Sequence, residues 1–347
     1  MLKINMFSTA DKVKGQGVGS AYVELINMLQ KYFSDQFSVS INKYGSRADI
    51  THYHTINPSF FLSTYAPGRG RKVGYVHFLP ETLDDSLKIP QPFKGIFYKY
   101  VIAFYKRMDH IVVVNPTFIP KLVAYGIAED KITYIPNFVN PKEFYPVDQQ
   151  DKVTLRKQYG LDVNRFTVFG SGQIQTRKGV LDFIKLAQQN PTVQFVWAGG
   201  FSFGKLTSGY DELEKVVKNP PANLLFPGIV PREKIVDYYN MADLFLLPSY
   251  NELFPMSVLE AFSTHTPVML RDLDLYKAII SGYYVPTQNE EDMNDQLHRL
   301  INDPEALRDL QRRSATAAER YSESHLAQVW HDFYLQQAGE KGHVKKQ

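Results

Sequence analysis

IPNFVNPKEFYPV, residues 135–147, divides the chain into two renderings of one pattern. Pro136, Pro141 and Pro146 each lack a backbone donor, so neither a helix nor an interior strand runs through the segment, and it has the character of an interdomain connector. Before it, short apolar runs at 2–8, 37–44, 49–54, 72–78, 110–115 and 131–137 read as strands, and 20–33 and 119–126 as helices. After it the alternation restarts, with strands at 166–172, 193–200, 223–228, 244–249 and 267–272 and helices at 179–189, 232–242 and 257–265. Two helical stretches, about 290–301 and 304–337, close the chain before the polar tail GEKGHVKKQ. Such alternation predicts an α/β fold of parallel sheets covered on both faces. Two series predict two facing Rossmann-like domains, 1–145 and 146–322, with a helix and tail over 323–347 that packs back on the first. Ligands of open α/β sheets bind beyond the carboxyl ends of the strands, so the cleft between two such domains is the expected site.

The composition supports this organisation. A chain of 347 residues is long for one core, and 44% hydrophobic residues leave no room for wholesale disorder. There is no cysteine, which excludes disulfides, thiolate metal sites and a cysteine nucleophile. The start, MLKINMFSTADKVKGQ, lacks the apolar core of a signal peptide, and no run of about 18 apolar residues exists. A cytosolic or peripheral protein is expected. Net charge is +3, but residues 65–107 hold eight Lys and Arg (69, 71, 72, 88, 94, 99, 106, 107) against three acids (81, 84, 85), which hints at an anionic partner.

Four groups of residues stand where chemistry is expected. Gly15, Gly17 and Gly19 fall between the first strand and first helix, where backbone N–H groups approach anions; a plain flexible loop is the alternative. His77 ends a strand, in YVHFLPE, where a substrate hydroxyl or phosphate is in reach; His54 follows the same logic, and a structural histidine is the competing reading. Arg177 and Lys178, in GSGQIQTRKGV, sit between a strand and the positive end of a helix, a diphosphate arrangement unless they are solvated loop cations. In NELFPMSVLE, Glu252 falls in a strand-to-helix loop and Glu260 about a turn into the helix. Two acceptors so spaced suit the hydroxyls of a nucleotide sugar, although a single acid ahead of a helix is favourable without any ligand.

Taken in order, the Gly loop, DITHYH, YVHF, the proline-rich connector, RKG, VWAGG, LLPSYNE and the Glu-x7-Glu pair resemble the retaining glycosyltransferases of family 4, over nearly the whole chain. GQIQTRKGV, ELFPMSVLEAF and RDLDLYKAI resemble its bacterial glycosyl-diacylglycerol synthases. The resemblance implies a GT-B fold, with an N-terminal acceptor and membrane domain and a C-terminal nucleotide-sugar domain. It also implies α-retaining transfer of a hexose, galactose before glucose, from a UDP-sugar to glucosyl-diacylglycerol on the inner face of the cell membrane. It further implies that no cofactor is required, that the protein binds no metal, and that Mg2+ is at most a non-essential stimulant. By position, Glu252 would hold hydroxyls of the donor hexose and Glu260 the ribose. Arg177 and Lys178 would stabilise the leaving diphosphate and His77 would touch the donor sugar. The backbones of Gly17 and Gly19 would lie near the phosphates, and Phe254, Met256 and Ser257 would offer backbone donors. Two departures matter. Relatives carry arginine where this chain has Gln173, so Arg177 is expected to supply that charge; relatives carry glycine where Pro255 stands, which removes one N–H.

The acceptor side is read from QPFKGIFYKYVIAFYKRM, residues 91–108. Phe93, Phe97, Tyr100, Val101, Phe104 and Tyr105 recur near helical spacing, flanked by Lys94, Lys99, Lys106 and Arg107. A basic aromatic helix suits an anionic bilayer surface, with YAPGRGRK (65–72) adding charge; a core helix with a solvated basic edge is the alternative. Rival functions are a soluble glycosyltransferase acting on a cell-wall or capsule glycan, and a non-catalytic nucleotide-binding protein. A dehydrogenase is disfavoured by the irregular Gly spacing, and a nucleic-acid partner by a modest pI of 8.7 without a recognised module.

Overall fold

The computed structural model describes residues 1–9, 17–77, 79–80, 93–201, 204, 207 and 209–343. They form two compact units. The first holds the described residues within Met1–Asp84, Ile89–Phe138 and Glu323–Gln347, the second those within Val139–Ser322. The break after Phe138 lies inside the proline-rich connector, so residues 139–145, expected with the first domain, fall in the second unit.

The first unit runs β1 (Leu2–Phe7), α1 (Gly17–Phe33), β2 (Phe37–Ile41), β3 (Ile50–Tyr53), α2 (Pro58–Ser63), β4 (Arg71–Val76), α3 (Phe93–Lys106), β5 (His110–Val113), α4 (Phe118–Ala124) and β6 (Ile132–Tyr134). Its six strands pair in parallel in the order β2-β1-β3-β4-β5-β6. All four residues of β3 and of β5 are buried, as befits a sheet covered on both faces. Helix α1 begins at Gly17, not near residue 20, so Gly17 and Gly19 lie in its first turn instead of in the preceding loop; Gly15 lies outside the described residues.

In the second unit come α5 (Gln149–Gln158), β7 (Thr167–Ser171), α6 (Val180–Gln189), β8 (Gln194–Ala198), α7 (Tyr210–Lys218), β9 (Leu224–Gly228), α8 (Arg232–Met241) and β10 (Leu244–Leu247). They are followed by α9 (Met256–Ser263), β11 (Val268–Arg271), α10 (Asp274–Ile279), β12 (Val285–Thr287), α11 (Glu290–Asn302) and α12 (Pro304–Arg320). The parallel order β12-β11-β10-β7-β8-β9 makes β7 and β10 neighbours, with the chain winding away from them in both directions. The carboxyl ends of β7 and β10 therefore flank a topological switch point, where open α/β sheets take their ligands. At the opposite end of these strands Asp243 accepts from Lys152 (2.6 Å), Arg156 (2.6 Å) and the Thr167 amide (2.8 Å), tying α5 to β7 and β10.

The expected helix over 304–337 is two. It breaks at Tyr321–Ser322, where the Tyr321 hydroxyl donates to the Ile279 carbonyl (2.7 Å) and its own carbonyl accepts from the Val139 amide (3.1 Å). Helix α13 (Glu323–His343) belongs to the first unit. Its Trp330 and Tyr334 are fully buried; the Tyr334 hydroxyl meets His52 Nδ1 at 2.8 Å, and Lys31 pairs with Glu323 at 2.5 Å.

Candidate active site

After β7 the chain makes a short 3-10 turn, Thr176–Lys178, and enters α6 through Gly179. Gly179 has φ +68°, and a Cβ there would stand 2.2 Å from the Pro248 carbonyl oxygen. Glycine therefore lets the two cations lie directly against the end of β10. Lys178, nearly buried, pairs with Glu252 Oε1, which also accepts from the Ser249 hydroxyl at 2.7 Å. Arg177 stands 3.6 Å from Glu252 Oε2 and donates to the Asn251 carbonyl (3.1 Å) and to the Gln175 side chain (3.1 Å). Gln175 in turn donates to Gln173, which wires that neutral residue to Arg177. Burial pushes Glu252 up, but Lys178 and Arg177 outweigh it and hold the carboxyl below its usual range. The same burial lowers Lys178, with Glu252 pulling the other way. The result is a buried carboxylate ringed by donors at the switch point.

The loop that carries Glu252 is braced from both sides. The Tyr250 amide donates to the Arg177 carbonyl (2.8 Å). Its ring lies 4.1 Å under the Arg271 guanidinium, and its hydroxyl donates to Asp182 (2.6 Å), which also pairs with Arg271 (2.5 Å). Arg271 further donates to the Pro248 carbonyl at 3.1 Å.

Glu260 lies in α9 and is buried, accepting from the Tyr239 hydroxyl (2.7 Å) and from Arg232 (3.4 Å), which also donates to Glu143 (3.0 Å). Burial raises its carboxyl above the usual range, with Arg232 and Tyr239 opposing. Pro255 precedes α9 in an extended conformation, Met256 and Ser257 open its first turn, and Phe254 is buried 5.9 Å from the Tyr321 ring.

His77 follows β4 in the first unit and is buried, with Nε2 lacking a partner among the described residues. It shares an aromatic cluster with Tyr75 (4.2 Å) and His54 (5.9 Å), and His54 lies 4.2 Å from His52. Burial pushes His52 and His77 down to about 3 and His54 well below its ordinary value, so all three are neutral. The structure thus brings Arg177, Lys178 and Glu252 into one cluster, gives Glu260 its own cluster on the following helix, and seats His77 among buried rings. Sequence reasoning missed Ser249, Tyr239 and the Arg271–Asp182–Tyr250 brace. Only Ser249 carried a local signal, standing three residues before Glu252.

The family profile described as glycosyl transferases group 1 matches residues 151–317, and that of glycosyltransferase family 4 matches residues 16–143. The chain is 52% identical over 338 residues to the alpha-galactosylglucosyldiacylglycerol synthase of Streptococcus pneumoniae (strain ATCC BAA-255 / R6), covering 97% of this chain and 90% of that one. The chain belongs to glycosyltransferase family 4. The glycosyltransferase is also 32% identical over 182 residues to the processive diacylglycerol alpha-glucosyltransferase of Acholeplasma laidlawii, covering 52% of this chain and 53% of that one. In fold it matches HepE of Anabaena, solved in complex with UDP and glucose, with a TM-score of 0.77 at 16% identity over 97% of this chain and 100% of that one. It also matches a sucrose-phosphate synthase from Thermosynechococcus elongatus, with a TM-score of 0.78 at 16% identity over 97% and 99%. These likenesses give the expected GT-B fold.

Proposed function

We propose that this glycosyltransferase moves a hexose, galactose before glucose, from a UDP-sugar onto glucosyl-diacylglycerol, making a diglycosyl-diacylglycerol. The observation that carries this reading is the 52% identity, over nearly the whole chain, to a synthase named for that product. The carboxylate and two cations at the β7–β10 switch point support it chemically. Lys178 and Arg177 turn to the diphosphate and stabilise the negative charge that develops as the glycosidic bond breaks. Glu252 accepts from hexose hydroxyls and Glu260 from the ribose. The sugar keeps its α configuration by front-face attack, and the departing phosphate takes the acceptor's proton. No metal is called on in these steps. The acceptor reaches the enzyme from an anionic membrane surface. The exposed side chains of Phe93 and Ile96 and the exposed Lys99 and Lys106 support α3 as the element that meets it. No helix among the described residues is long and apolar enough to cross a membrane.

The test pairs UDP-galactose and UDP-glucose with diacylglycerol and glucosyl-diacylglycerol in mixed micelles containing anionic lipid. Product is read by mass and by anomeric coupling. An α-linked second hexose on glucosyl-diacylglycerol is expected. Transfer to a soluble glycan with both lipids untouched would remove the glycolipid reading.

A further inference from the structure

Tyr276, in α10, is fully buried, and its hydroxyl has no hydrogen-bond partner among the described residues. An unpaired phenol O–H in the interior forfeits its hydration without return, so a phenylalanine would suit the packing better. The neighbouring Tyr284 shows the ordinary solution: its ring is 5.9 Å from that of Tyr276, and its hydroxyl donates to Asp272 at 2.8 Å. Tyr276 follows β11, the strand beside β10, and Arg271 at the end of β11 holds the Pro248 carbonyl at the base of the Glu252 loop. Burial first, and then the Glu252 carboxylate, keep the phenol protonated, with Arg177 acting the other way. The hydroxyl is therefore a standing, unpaired donor in the helix that follows β11, while Glu252 stands in the loop that follows β10, the strand paired with β11.

The oxygens of Glu252 are already engaged by Lys178, Ser249 and Arg177. Under the proposed function both cations turn to the diphosphate, which strips a buried carboxylate of its charge partners as it takes up the sugar. Such a group needs a replacement donor to stay ionised. We propose that Tyr276 is a positioning residue that donates its hydroxyl to Glu252 in the donor-loaded enzyme, in the place Lys178 leaves. The inference rests on reading Glu252 as the carboxylate that holds the donor hexose.

The experiment compares wild type, Tyr276→Phe and Tyr284→Phe by thermal melting with and without UDP-galactose or UDP-glucose, and by donor kinetics. Tyr276→Phe is expected to melt at or above the wild-type temperature without donor, because it deletes an unpaired hydroxyl. It should lose most of the donor-induced rise in Tm and raise donor KM about tenfold, with a smaller change in kcat. Tyr284→Phe, which deletes a made hydrogen bond, should lower Tm and leave donor KM alone. A Tyr276→Phe enzyme with wild-type donor KM and donor-induced Tm shift overturns the proposal, as does one whose melting temperature falls without donor. A wild-type enzyme that turns over neither UDP-hexose overturns the proposed function instead.

Discussion

Lys178 is unusual among lysines in being almost fully buried, and its position is bearable only because Glu252 shares the burial. The pair is also costly to break, which leaves Lys178 with a function to serve elsewhere than in packing. Lys178→Ala is expected to lower kcat by about two to three decades, roughly 3–4 kcal/mol of transition-state stabilisation, measured with UDP-galactose at saturating acceptor. Arg177→Ala should fall by a similar amount, since Gln173 carries no charge to replace it; wild-type turnover in that variant would take Arg177 out of the diphosphate role. The places of Arg177, Lys178 and Glu252 were legible, because each falls in the loop that follows a strand whose apolar run marks its end, whereas Glu260 lies inside α9 and the pairing of the two glutamates came from the family resemblance, not from spacing. Tyr239 and Arg232 were not legible, because they reach Glu260 from α8 across 21 and 28 residues, and no local spacing reports such a contact.

Helix α3 shows how a single amphipathic reading covers two environments. Its carboxyl half, Val101, Phe104 and Tyr105, is core, while Phe93 and Ile96 at its start are exposed, so the apolar side chains of its first turns are left for another surface. Arg69, counted with the basic surface from sequence, is instead buried and spent on the carbonyls of Lys43, Tyr44 and Ser63. Neutralising Lys94, Lys99 and Lys106 together should weaken binding to anionic vesicles by about two orders of magnitude at low salt, at about 1 kcal/mol per lysine. Unchanged vesicle binding would end the case for α3. The interior strands of both sheets were readable because buried parallel strands are continuous apolar runs. Helix α5 was not, because it buries Arg156 alone and carries no apolar stripe, whereas α7 does set Tyr210, Leu213, Val216 and Val217 at helical spacing and was passed over although that signal was there. Strand β12 is three residues with a proline at its centre, too short to register. Helix α13, by contrast, buries Trp330 against His52 and Tyr75, and Trp330→Ala should cost the first unit about 3–5 kcal/mol in chemical denaturation.

The two units answer acid differently. In the first, His52, His54 and His77 are held neutral by burial, whereas in the unfolded chain each takes a proton near pH 6.5. Their folded values are depressed, so the unfolded state binds more protons. Stability is complete above about pH 6.5 and is lost as pH falls toward about 3, at about 1.4 kcal/mol per pH unit for each imidazole. In the second, burial lowers a single half-buried histidine, His265, and raises Glu260, which acts in the opposite sense, while Asp243 and Glu252 are depressed carboxylates whose contribution is lost only below about pH 4. Acid titration should therefore show two transitions, the first unit losing its fold at the higher pH. Trp330 reports on the first unit and Trp197 on the second, so the fluorescence of the Trp197→Phe and Trp330→Phe variants separates them. Coincident transitions below pH 4 would contradict the neutral-histidine assignment. The return of α13 to the first unit also bears on how the polypeptide is made. A ribosome delivers all of residues 139–322 before it delivers the 21-residue segment that the opening part of the chain, up to Phe138, still lacks. The later-translated unit is thus the earlier one to be finished, and a message truncated ahead of Glu323 yields a half-built product with the faces of Tyr75 and His52 open to chaperones and proteases.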